Sequence, residues 1–244
     1  EVLPTVQPSA SHFGVTRGVP GLPDGIPITG CLGDQQAALY GHGVVRPGEG
    51  KITFGTGAFL LVHTGKDAPI SSDGLLTTVA FSTKDKRTFA LEGSAFIAGA
   101  AVQFLRDNVK LFARADEVES FALQSPRDPF VQFVPALAGL GAPYWNPDAK
   151  GVLLGLTRGT TNPQIARAVL ESIALQNVQL LTLMGEALGR KITRLGVDGG
   201  AANSDFLMQF QADTARVTLS RRATTEITAL GAAKAALCGS GRPI

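Results

Sequence analysis

The strongest constraint on this chain is a long apolar stripe between residues 163 and 188. Ile165, Val169, Ile173, Leu180, Leu183, Met184 and Leu188 fall largely on one face at helical spacing, and Pro163 suits a first helical turn. The spacing predicts one long helix that has to bury that stripe against another layer. The flanking sequence offers the layer. Residues 192–197 read as a strand, Asp198-Gly199-Gly200 as a turn, and Phe206, Leu207, Phe210 and Val217 as marks of a further amphipathic helix. Residues 229–237 predict another. Upstream, residues 51–63 read as two β-rich arms hinged at Gly55-Thr56-Gly57, and residues 87–91 as a strand. That strand leads through Glu92-Gly93-Ser94 into a predicted helix over 95–108, with Ser94 as a candidate cap. Residues 130–137 are apolar and β-rich and end in a Gly/Pro loop over 139–147. Strands alternating with helices, hairpin first, give an α/β class with a mixed sheet.

The beginning of the chain is different. Its first 25 or so residues are rich in Pro, Gly, Ser and Thr without a lasting period, and read as surface connection. Residues 26–32 form a strand candidate that runs into Gly33-Asp34-Gln35-Gln36, and residues 35–40 resemble a helix start. Gly41, Gly43, Pro47 and Gly48 then suggest a boundary between residues 1–43 and 44–244. The opening Glu1-Val2-Leu3-Pro4 has neither an initiator Met nor a signal pattern, and reads as a cut. Hydrophobic residues make up 44% and charged residues 17%, with a formal net charge of +2, the balance of a soluble enzyme with no bias toward nucleic acid or anionic membrane. No apolar run approaches the roughly 18 residues of a membrane span. Cys31 and Cys238 are far apart, which favours a reduced cytoplasmic protein over a disulfide.

Three stretches could carry chemistry. Gly55-Thr56-Gly57 at a hairpin tip suits an anion, because two glycines let backbone approach closely and Thr adds a hydroxyl. Its bland alternative is a tight turn without a ligand. Val197-Asp198-Gly199-Gly200-Ala201-Ala202 has the strand–glycine–helix form against which a nucleotide can lie, or is merely a turn needing positive φ. Asp34, between a strand and a helix, is either a base facing a cleft or an N-cap. His12, His42 and His63 lack metal spacing, and Tyr144 and Trp145 read as loop anchors.

Taken in order, these stretches become specific. Asp34-Gln35-Gln36, Phe54-Gly55-Thr56-Gly57, Glu92-Gly93-Ser94, the Gly141-Ala142-Pro143-Tyr144-Trp145 loop and Asp198-Gly199-Gly200 resemble the FGGY carbohydrate kinases, and within them the glycerol kinase branch. Residues 151–171 match that family's second signature, and the resemblance covers nearly the whole chain. It implies an actin-like, ribonuclease H-like ATPase lobe, its mixed sheet flanked by helices, in an enzyme that phosphorylates glycerol to glycerol 3-phosphate. By position, Asp34 resembles the catalytic base, Gln35 its neighbour on the polyol, and Phe59 the aromatic against the glycerol carbons. Thr56, Gly99, Gln103, Gly200 and Ala201 match ATP contacts. Ser204 stands where an Asn usually meets the adenine, with Asn203 one step earlier.

The resemblance further implies ATP with Mg²⁺, a cytoplasmic setting and a homo-oligomer for the full-length form. It assigns residues 1–43 to the tail of a first lobe and residues 44–244 to the nucleotide-binding lobe. The rest of that first lobe is expected to hold the metal through an Asp-x-Gly-Thr turn and to read the polyol through an Arg-Glu pair. No Asp-x-Gly-Thr occurs in this sequence, so the chain alone is expected to be inactive. Residues 18–26 hold no Lys or Arg, where some relatives bind a sugar bisphosphate inhibitor. A kinase for a pentulose or another polyol is the near alternative, and a non-catalytic actin-like nucleotide-binding module the distant one.

Overall fold

A computed structural model of the chain describes residues 2–70, 74–126, 130–224 and 226–242. The chain begins with β1 (Ala10–Val15), β2 (Pro27–Gly30), α1 (Asp34–Gly41), β3 (Glu49–Phe54), β4 (Ala58–Gly65), β5 (Leu76–Ser82) and β6 (Arg87–Ala95). It continues through α2 (Gly99–Asp107), α3 (Val118–Leu123), β7 (Gln132–Val134), β8 (Val152–Leu154) and α4 (Asn162–Leu188). Then come β9 (Arg194–Asp198), α5 (Asp205–Ala215), β10 (Thr218–Arg221) and α6 (Ile227–Gly239). A six-stranded sheet in the order β10-β9-β3-β4-β6-β5 organises the molecule. It is parallel across β10, β9 and β3, and antiparallel from β3 to β5.

Strand alternation gives this sheet two unlike faces. Ile52, Leu60, Val62, Leu91, Leu195 and Val197 point to one face and form the main core with α2, α4 and α5. Along α4 the expected stripe closes that core, with Val169, Ile173, Leu180 and Met184 fully buried or nearly so. Each such side chain contributes about 1.5–3 kcal/mol relative to an exposed one. Gly93 lets α4 come close, since a Cβ there would stand 3.0 Å from Met184 Cε. The ends of α4 are set by sequence. The Thr161 amide donates to Gln164 Oε1 at 2.9 Å, Pro163 lies in the first turn, and Gly189 ends the helix in the left-handed conformation.

The other face is polar in its central rows. Register places Gly196, Lys51, Leu61 and Glu92 side by side across four strands, and Asp198, Thr53, Phe59 and Ser94 in the next row. Over this face lies α1, burying Leu39 against Leu61, Ala80 and Ala90. Helix α6 packs on α1 through glycine: a Cβ on Gly231 would fall 1.7 Å from the Ala37 carbonyl oxygen. Strand β2 lies along α6 as well, with Thr29 Oγ1 donating to the Ala236 carbonyl at 2.7 Å.

Several local expectations change. The stretch read as surface connection contains β1, paired antiparallel with β2. The helix expected over 95–108 starts only at Gly99, because β6 continues through Ala95 and Ala98 is the N-cap. Ser94 pairs with Phe59 inside the sheet and caps nothing. Val217 lies beyond α5, which Arg216 ends in the left-handed conformation. Strands β5, β8 and β10 and helix α3 are too short or too irregular in pattern to have been anticipated.

Candidate active site

Where β3 and β9 end side by side, their loops and the start of α2 enclose a cavity of about 450 Å³. Gly55, Thr56, Gly99, Gln103, Gly200, Ala201 and Ser204 line it, so every residue singled out for the nucleotide meets in one place. Asn203 is there too. Sequence reasoning missed Val102, Asp116, Val118, Glu119 and Leu170, which carry no site signal of their own in the sequence.

The tip of the β3–β4 hairpin is fixed by α2. The amides of Ala98 and Ala100 donate to the Thr56 carbonyl at 2.8 and 3.1 Å, and that of Gly99 to the Gly55 carbonyl at 3.0 Å. These bonds use the first amides of the helix, while the Gly55 amide donates to the Gly57 carbonyl at 2.9 Å. Thr56 is exposed at the tip, and among the described residues neither its amide nor its hydroxyl donates a hydrogen bond. The tip thus offers Thr56 to an anion on a locked backbone. Gly199 holds φ at 90°, and a Cβ there would fall 2.3 Å from the Phe54 carbonyl oxygen, so the two loops touch backbone to backbone. Gly200 has nothing within 4 Å of an added Cβ. Ser204 Oγ caps α5 by accepting from the Leu207 amide at 3.1 Å, and Glu119 Oε1 accepts from the Phe206 amide at 2.7 Å.

The remaining candidates lie on the polar sheet face. Asp34 is the first residue of α1, exposed, while Gly33 occupies the N-cap without a side-chain bond. The capping alternative for Asp34 therefore falls away. Its Oδ1 accepts from the Gln35 amide at 2.8 Å, and its charge suits a helix N-terminus. Phe59 is half-buried in β4.

Sequence reasoning missed the group beneath. Lys51 is 0% exposed; its Nζ donates to Gln35 Oε1, to Thr53 Oγ1 at 2.9 Å and to the Phe59 carbonyl at 3.2 Å. Burial pulls its pKa down to about 8, against the opposing pull of Asp198, Glu92 and Asp34. Burial also raises the Glu92 carboxyl, with Lys51 opposing and Asp34 reinforcing the shift. Burial would raise Asp198 too, but hydrogen bonds from His42 and Thr53 outweigh it and hold that carboxyl below its ordinary value. His42 Nε2 lies 2.7 Å from Asp198 Oδ2. A lysine inside a strand otherwise buried from Gly50 to Ile52 was the available signal.

Other features are structural. Trp145 Nε1 donates to the Gly74 carbonyl at 2.8 Å and its ring meets Phe96 edge-on, so it anchors its loop. A cavity of about 190 Å³ beside Leu39, Tyr40 and Phe81 touches none of the candidates. Among the described residues, no group of three His, Cys, Asp or Glu side chains could hold a metal ion, and no helix is long and apolar enough to cross a membrane.

The model of the FGGY family of carbohydrate kinases, C-terminal domain, matches residues 50–240. This chain belongs to the FGGY family of carbohydrate kinases. Among FGGY relatives, a glycerol kinase of Bdellovibrio bacteriovorus is 53% identical over 98% of the chain and 49% of its own length. One from Myxococcus xanthus is 52% identical over the same shares. The crystal structure of Plasmodium falciparum glycerol kinase with ADP superposes with a TM-score of 0.91 at 37% identity, covering 98% of this chain and 48% of that one. The fold is therefore the actin-like FGGY lobe, its mixed sheet flanked by helices. The chain spans about half the length of the curated relatives it matches.

Proposed function

We propose that this chain is the nucleotide-binding half of an ATP-dependent kinase that transfers phosphate to glycerol, with the rest of the active site supplied by a further lobe outside these 244 residues. The observation that carries this reading is the convergence of Thr56, Gly99, Gln103, Gly200, Ala201 and Ser204 on one cavity. On this reading Thr56 receives the terminal phosphate, Gly200 and Ala201 underlie the adenosine, and Asn203 and Ser204 face the base. ATP supplies the phosphoryl group. Asp34 accepts the proton of the attacking hydroxyl, Gln35 orients the polyol, and Phe59 packs on its carbons. Mg²⁺, a cytoplasmic setting, a homo-oligomer and the division at residues 43 and 44 belong to the same proposal.

In-line phosphoryl transfer needs donors on both sides of the phosphate, and holding two reactants in line contributes up to ~7–11 kcal/mol. One lobe supplies one wall. The 244-residue chain should therefore bind ADP weakly by calorimetry and give no turnover in a coupled assay with glycerol, ATP and Mg²⁺. At full natural length the same assay should show turnover, faster with glycerol than with xylulose. Preference for the pentulose would move the reading to a paralogous sugar kinase. Nucleotide binding at full length with no acceptor phosphorylated would favour a non-catalytic module.

A further inference from the structure

From the geometry we infer that Lys51 is a positioning residue of the acceptor site, holding the Gln35 side chain in place from beneath α1. The inference rests on the proposed reading of Gln35 as a polyol contact. Three facts support it. First, Lys51 is wholly inaccessible, so it does not touch substrate; it acts only through what it holds. Second, its bonds join the sheet to α1. Of its three bonds, those to Thr53 Oγ1 and the Phe59 carbonyl anchor the ammonium to β3 and β4, and the third goes to Gln35 Oε1 on the first turn of α1. The amide oxygen is thereby committed to Lys51, which leaves the Gln35 NH₂ group as the part free to donate to a substrate oxygen. Third, the same ammonium holds the Phe59 carbonyl, so one buried atom fixes two of the three residues proposed to touch the polyol.

The charges around Lys51 fit this role. Asp198 from β9, Glu92 from β6 and Asp34 from α1 all act on the ammonium. Asp198 is itself held by His42, the residue that follows α1, at 2.7 Å. Helix α1 is thus tied to the sheet near both ends, through Gln35 to Lys51 and through His42 to Asp198. A buried ammonium is costly without such partners, and a hydrocarbon of similar length would fill the same space without ordering the amide.

The test uses the protein at its full natural length, with glycerol and Mg²⁺-ATP in steady-state assays of Lys51→Met, Gln35→Leu and the double variant. Lys51→Met should raise the glycerol KM roughly tenfold or more, the usual effect of losing a charge-assisted hydrogen bond, and leave the ATP KM within about twofold. Because Lys51 acts through Gln35, the double variant should be no worse than the worse single one. An unchanged glycerol KM in Lys51→Met, or additive effects in the double variant, overturns the inference. Should Lys51→Met fail to fold, Thr53→Val keeps the ammonium and removes one anchor. It should still raise the glycerol KM roughly threefold, consistent with loss of one ordinary hydrogen bond, and no rise overturns the inference. Absence of phosphotransfer to any polyol by the unsubstituted protein removes the polyol reading itself, and the inference with it, before any variant is compared.

Discussion

Asp34 and Lys51 carry their charges in opposite settings, and each makes its own prediction. Asp34 is exposed at the start of α1 and caps nothing, so its loss should leave the fold intact. In the full-length protein, Asp34→Asn should lower turnover by at least the ~10²-fold typical of a general base, with nucleotide affinity by calorimetry nearly unchanged. Turnover near that of the unsubstituted protein would reduce Asp34 to a favourable charge at a helix end. Lys51 is buried, and its pKa of about 8 lies below the ordinary 10.5. Between those values the unfolded chain binds more protons than the folded one, so this residue's contribution to stability rises with pH across that window. Urea unfolding should accordingly show the midpoint of the unsubstituted chain gaining on that of Lys51→Met from pH 8 to pH 10. An unsubstituted midpoint that stays level or falls relative to that of Lys51→Met over this range would mean that water reaches the ammonium.

Among the elements, the turn after β9 separates backbone demand from ligand demand within two neighbouring residues. Gly199 combines φ of 90° with a contact on the Phe54 carbonyl, whereas Gly200 opens into the cavity. Gly199→Ala should destabilise the chain by about 1–3 kcal/mol or more in urea unfolding, since it imposes both strain and a clash. Gly200→Leu should shift stability by no more than about 0.5 kcal/mol, as surface changes do. It should nevertheless weaken ADP binding at full length severalfold. Equal destabilisation by both would mean that Gly200 serves the fold rather than the nucleotide. The loop between β1 and β2 carries a second expectation. The Gly18 amide donates to Asp24 Oδ1 at 2.7 Å, and residues 18–26 hold no basic side chain to attract a bisphosphate. The full-length protein should keep any kinase rate in sub-millimolar sugar bisphosphate, and inhibition there would show that anion recognition comes from elsewhere.

For the molecule as a whole, the two-faced sheet decides what the 244-residue chain does by itself. Helices α2, α4 and α5 pack on its apolar face to form the main core, so the 244-residue chain should unfold cooperatively. The polar face is covered by α1 over only part of its area. Leu22, Ile26, Ile28 and Val15 lie exposed on or between the first two strands, which pack on α6. Exposed apolar groups of this kind promote association. Sedimentation of the isolated chain should show concentration-dependent self-association, which the protein at full natural length should not. A strictly monomeric chain at high concentration would mean that this surface is not a docking face.

Residue pattern alone already carried the parts governed by local chemistry. The stripe and first-turn proline of α4, the β3–β4 hairpin, the glycine turn after β9 and the order of five motifs were all readable. Each depends on residues close together in the chain, where period, φ and capping act. The six nucleotide candidates were legible as well, though only as a matched pattern; their convergence required the sheet register. The contribution of long-range packing is non-local. Strand β1 has no period of its own and exists because β2 and α6 lie beside it. Helix α2 begins late because its neighbour in the sheet keeps β6 extended through Ala95. Lys51 reads as one charge in a strand until register sets Thr53, Phe59, Asp198 and Glu92 around it and α1 brings Gln35 over it. A buried charge is stable only through partners, and these come from as far as 147 residues along the chain (Lys51 to Asp198). Short-range pattern carries no record of them, so chain proximity set the elements and sheet register set the site.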